Sequence, residues 1–157
     1  MWRTQISLFC LVLCIILLEA TIIPSLWSSL RIDFLIGLTM GLVIYAPFAP
    51  GFTFVLVTTL LLQALTGARL GFFPLVYVVM YLFLDLVKNL IFLENFVVQA
   101  ISGFVLSIGI ALIFSVMLDM NFTRTGTLGI FISALFTGVV TPLMVFIVLR
   151  MQVSNGT

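Results

Sequence analysis

Asp85, Lys88 and Asn89 stand at positions i, i+3 and i+4 of an apolar stretch, a spacing that places all three on one face of a helix. A carboxylate, an ammonium and an amide so placed can line a polar cavity or meet a charged residue of a partner. The plainer alternative is an internal Asp85–Lys88 pair, with the lysine stem stretched toward the headgroups. An isolated charge at mid-membrane costs on the order of 2.5–3.5 kcal/mol on insertion scales, so a partner or water is expected. A second group lies in "LLLQALTGARLGFF" at 60–73, where Gln63, Thr66, Gly67 and Arg69 interrupt two apolar runs. Gln63 and Arg69 sit at similar depth and form a candidate polar pocket at the mouth of the chain.

Neither group makes a catalytic set. The sequence contains no His, no HExxH, no phosphate loop and no carboxylate pair at helical spacing within one apolar run. Nucleophilic catalysis needs a nucleophile beside a base, and the expectation is a protein that is not an enzyme. Cys10 and Cys14 are one helical turn apart; with only these two thiols and no imidazole, no zinc or haem site is expected and the thiols are expected to be ordinary buried ones. No cofactor is expected.

The elements that carry these residues are set by composition. The chain has 157 residues, 64% of them hydrophobic and 7% charged, and its mean hydropathy is +1.43. Soluble domains use about 25% charged residues, so this is a membrane protein, read as one transmembrane domain over 1–157. Spans need about 20 apolar residues. Six are expected, at roughly 5–23, 32–46, 51–66, 73–92, 96–118 and 126–149. The runs are apolar on both faces, which favours helices over the alternating strands of a barrel. The fold class is an all-α bundle of six transmembrane helices. The first span is expected to be retained: it is long, ends in Glu19 and has no small-residue cleavage site before Pro24.

Local signals refine this outline. "YAPFAPGF" at 45–52 breaks the second span from the third and makes them antiparallel neighbours. Asp33 falls at the start of the second span, where a carboxylate complements the helix dipole. Gly67 suits a left-handed helix end, and Gly71 with Pro74 suits the start of the next helix. Glu19 reads as a hydrated carboxylate or a partner of Arg31 or Arg69. Gly103, Ser107, Gly109 and Ala111 in the fifth span, and Ser133, Ala134, Thr137, Gly138 and Thr141 in the sixth, form small-residue stripes of the kind that let helices approach closely.

Charge does not orient the bundle. With the N-terminus inside, Arg3, Lys88 and Arg150 fall on the inner side and Arg31, Arg69 and Arg124 on the outer, a tie under the positive-inside rule. A net charge of +1 offers no field for nucleic acid.

From about residue 31 to 149 the order of pieces resembles MreD, the small integral membrane family of the bacterial rod-shape system. "RIDFLIGLTMGLVIY" at 31–45 stands where that family has Arg-Pro-Asp before an apolar run, followed by the proline-bearing turn at 46–51. "LLLQALTGARLGF" at 60–72 is similar to its apolar run with Ser/Thr-Gly and Leu-Gly. "LIFLENFVVQA" at 90–100 and "TGVVTPLMVF" at 137–146 complete the series. Ile32 replaces the usual proline, Gln63 a common aspartate, and Thr137 stands where asparagine is common.

The resemblance implies a non-enzymatic inner-membrane component of the cell-elongation complex, binding the single-span protein MreC and supporting peptidoglycan synthesis and cell shape. The wider machinery it implies includes MreB, RodZ, RodA and a class B penicillin-binding transpeptidase, besides membrane lipids; nothing in the sequence excludes a homodimer. It also implies a bundle similar to the substrate-binding subunits of energy-coupling-factor transporters, with both termini cytoplasmic. The pocket of Gln63, Thr66, Gly67 and Arg69 would then face the periplasm. The stripe of Gly103, Ser107, Ser133, Thr137, Gly138 and Thr141 would offer a packing face for the partner's helix. A vitamin-binding subunit of such a transporter is the competing expectation, drawing on Gln63, Tyr77, Tyr81, Asp85 and Asn89.

Overall fold

The computed structural model describes residues 2–17, 32–66, 71–117 and 126–153. Among them are six helices and no strand: α1 (Trp2–Leu17), α2 (Phe34–Tyr45), α3 (Phe48–Thr66), α4 (Phe72–Val87), α5 (Phe96–Met117) and α6 (Gly126–Val153). Three are long and apolar enough to cross a membrane, over Phe48–Leu65, Phe96–Phe114 and Leu128–Gln152, whereas α2 and α4 are apolar but shorter. The chain is thus an all-helical membrane protein.

The innermost helix is the shortest. At 12 residues α2 is about 18 Å long at 1.5 Å per residue, and every residue from Leu35 to Val43 is buried. Its sequence, FLIGLTMGLVIY, has no polar side beyond Thr39, and a helix apolar all round belongs inside other helices. It packs most extensively on α6, then on α4, with smaller contacts to α3 and α5. Gly37 approaches Thr141 and Met144, and Gly41 approaches Val145 and Val148. Both partners advance together, so α2 runs parallel to α6.

The most extensive contact of all joins α5 to α6. Here the small-residue stripes meet each other. A Cβ on Gly103 of α5 would collide with the Thr141 side chain of α6, and one on Gly138 of α6 would stand 2.9 Å from the Ala100 carbonyl oxygen of α5. After α5–α6 and α2–α6, the next most extensive contact is that of α3 with α4. Gly51 leaves room for Tyr81, whose hydroxyl donates to the Phe48 carbonyl at 3.1 Å.

Several expected boundaries shift for physical reasons. The third span starts at Phe48 rather than 51, because Pro50 falls in the first turn, where its missing N–H is one of the donors a helix leaves open anyway. The fourth ends at Val87 rather than 92, and residues 88–94 form turns. The sixth runs on to Val153 and carries Pro142 in its interior. Of the expected 5–23 span, the part beyond Leu17 lies outside the described residues. The expected neighbourhood of the second and third spans is slight beside the α2–α6 contact.

Cys10 and Cys14, expected to be buried, are exposed on α1. That helix turns Val12, Ile15 and Ile16 inward at i, i+3 and i+4, which puts both thiols on another face.

Candidate functional site

The polar centre of the bundle is built around Asp33, at the head of α2. An aspartate before a helix satisfies the open N–H groups of its first turn, and Asp33 Oδ1 accepts from the Ile36 N–H at 3.2 Å. Its other carboxylate oxygen accepts from the Tyr77 hydroxyl of α4. Its own backbone N–H donates to Thr137 Oγ1 of α6 at 3.2 Å, across 104 residues of sequence. One residue therefore ties three helices.

The tie continues along α6. The Thr137 hydroxyl donates to the Ser133 carbonyl at 2.9 Å, and the Thr141 hydroxyl donates to the Thr137 carbonyl at 2.8 Å. Back-bonding of this kind keeps hydroxyls satisfied within apolar helices. Tyr77, Thr137 and Thr141 are fully buried, while Asp33 keeps part of its surface open. The sequence marks Asp33 as a helix start, and that role is present. Its link to Tyr77 is not legible there, although two tyrosines one turn apart on α4 were a signal that this face is polar.

The other expected groups separate. Gln63 is buried, and its Oε1 accepts the Gly71 N–H at 3.0 Å, joining the last turn of α3 to the head of α4. Gly71 has φ +88°, the left-handed conformation that favours glycine, and so occupies the turn position expected of it. The Thr66 side chain, Gly67 and Arg69 lie outside the described residues, as do Glu19, Arg31 and Arg124.

Asp85 and Lys88 pair with each other at 2.6 Å, both partly exposed. α4 ends at Val87, so Lys88 caps it and Asn89 sits, exposed, in the turn that follows. Of the intended partner face, Gly103, Ser133, Thr137, Gly138 and Thr141 are buried. Contacts within this chain cover Gly103, Thr137, Gly138 and Thr141. Ser107 is half-buried, and beyond it an added Cβ on Gly109 would meet nothing within 4 Å.

Sequence reasoning passed over Gln99. It is buried, and its side-chain amide donates to the Leu93 carbonyl at 2.9 Å, bracing the turn between α4 and α5. Asn95 adds to the brace by accepting from the Val97 N–H at 2.9 Å. Among the described residues these groups form hydrogen bonds between helices and turns, and Asp85 with Lys88 forms an ion pair.

With this geometry in hand, the chain was compared with known proteins: no family model, no curated protein and no solved structure matches it.

Proposed function

We propose that this protein is a six-span, non-enzymatic component of the bacterial inner membrane that holds a single-span partner of the MreC type and so supports peptidoglycan synthesis during elongation. The reading rests on the ordered resemblance to the MreD family over 31–149. The observation that carries it furthest is that the polar residues of those similar segments are engaged within the chain, one contact tying the first segment to the last and the others bracing single segments. Asp33 of the first reaches Thr137 of the last; Gln63 and Gly71 close the second; Gln99 and Asn95 brace the third. Polar groups spent on holding helices in register suit a scaffold.

Within this reading both termini are cytoplasmic, and the Gln63 turn faces the periplasm. A partner's helix would meet α5 on the Ser107 and Gly109 side, since the rest of the small-residue stripe is engaged within the chain. Close packing of small residues, without charge, is enough to hold such a helix.

The test is mild-detergent co-purification of the tagged protein from its host, followed by mass spectrometry of bound proteins and extracted small molecules. Recovery of a single-span MreC-type protein in constant proportion, reduced by Gly109→Leu, is the expected result. A retained vitamin together with an ATP-driven module, and no such partner, would overturn it.

A further inference from the structure

The turn between α4 and α5 carries large apolar side chains where a water-facing loop would carry polar ones. Leu90 is 81% exposed, Ile91 43% and Phe92 87%. Leu93, the next residue, is 3% exposed and points into the bundle. The outward triplet is thus fixed by an inward anchor rather than left by chance. Gln99 holds that anchor through the Leu93 carbonyl.

Two further observations say what the triplet touches. The first is the length of α4, 16 residues or about 24 Å, against a hydrocarbon core of about 30 Å. A helix that stops short leaves a gap that either the bilayer or the flanking chain must fill. The second is the backbone. Of the eight N–H groups from Lys88 to Asn95, five, those of Lys88, Leu90, Ile91, Leu93 and Asn95, donate to carbonyls of α4 or of the turn itself. Irregular backbone is costly at membrane depth where its polar groups lack such partners, so a turn satisfied to this extent suits a shallow seat next to the headgroups. The charged pair beside it, Asp85 with Lys88, is likewise closed on itself at 2.6 Å.

We propose that Leu90, Ile91 and Phe92 form a shallow membrane wedge, seated among the upper acyl chains of the leaflet at the α4–α5 end, which completes the apolar length that α4 lacks. Glu94 and Asn95, both exposed, mark the return to the headgroup level. The occupant is lipid, and the wedge does not depend on the proposed function.

The test uses the full-length protein reconstituted in phosphatidylcholine vesicles, with Trp2 and Trp27 replaced by Phe and a single reporter introduced as Phe92→Trp. Blue-shifted emission is expected, lost in vesicles whose lipids carry bromine near the head of the chain, less so with bromine at the chain end, and resistant to aqueous acrylamide. Emission quenched by acrylamide would overturn the proposal by placing the turn in water. Emission quenched by neither agent would overturn it as well, by placing the triplet under protein. If Phe92→Trp does not fold, Leu90→Trp asks the same question from the other end of the triplet.

Discussion

Gly37 of α2 and Met144 of α6 pack so closely that a Cβ on the glycine would lie 2.7 Å from the methionine Cβ. Nothing short of a displacement of one helix accommodates a side chain there. Gly37→Ala should therefore cost about 1–3 kcal/mol, the usual range for overpacking a filled core. Gly109→Ala, facing open space, should leave stability unchanged. Reversible unfolding in mixed detergent micelles measures both, and equal stability of the two variants would contradict the contact.

The Asp33 node makes a second prediction. Tyr77→Phe removes a hydroxyl that donates to the carboxylate, and intramembrane hydrogen bonds average about 0.6 kcal/mol with a ceiling near 1.7. Asp33→Ala removes that acceptor and the helix cap together, so it should cost more, by about 1 kcal/mol for the cap. The double variant should cost less than the sum of the two. Strict additivity would show that the groups do not interact.

For Asp85 and Lys88 the order of effects is the informative part. Lys88→Leu leaves a carboxylate without its counter-ion, and the loss should stay below the roughly 2.5–3.5 kcal/mol of a fully buried charge because the pair is partly exposed. Replacing both by leucine should recover most of that loss. A double variant less stable than Lys88→Leu would mean that Asp85 serves something other than this pair.

Gly51 and Tyr81 should behave as a coupled pair. Gly51→Ala places a methyl 2.5 Å from the Tyr81 hydroxyl oxygen and breaks its bond to the Phe48 carbonyl. Tyr81→Phe on top of Gly51→Ala should restore stability, since the colliding atom is gone. No rescue in the unfolding midpoint would argue that the collision is relieved elsewhere.

How much of this was legible in the sequence follows from what each signal depends on. Asp33 as a helix start, Gly71 as a turn residue and the Asp85–Lys88 pair are local, and each stands within four residues of what it acts on. The small-residue stripes announced close packing, but not that Gly103 answers Thr141 or that Gly138 answers Ala100. Such matches depend on how the helices are arranged. The burial of α2 was not legible, because in a chain apolar on every face the side turned to lipid and the side turned to the core look alike. The early end of α4 was hidden for a related reason: "LIFL" continues the apolar run after the helix has stopped.

The enclosure of α2 also sets an order of assembly. Its glycine side is covered by α6, whose Thr137 is synthesised 104 residues after Asp33. Throughout that interval the nascent chain holds a 12-residue apolar helix, too short to span on its own, without the neighbour it packs on most. The packing site of α2 is therefore complete only once α6 has been made.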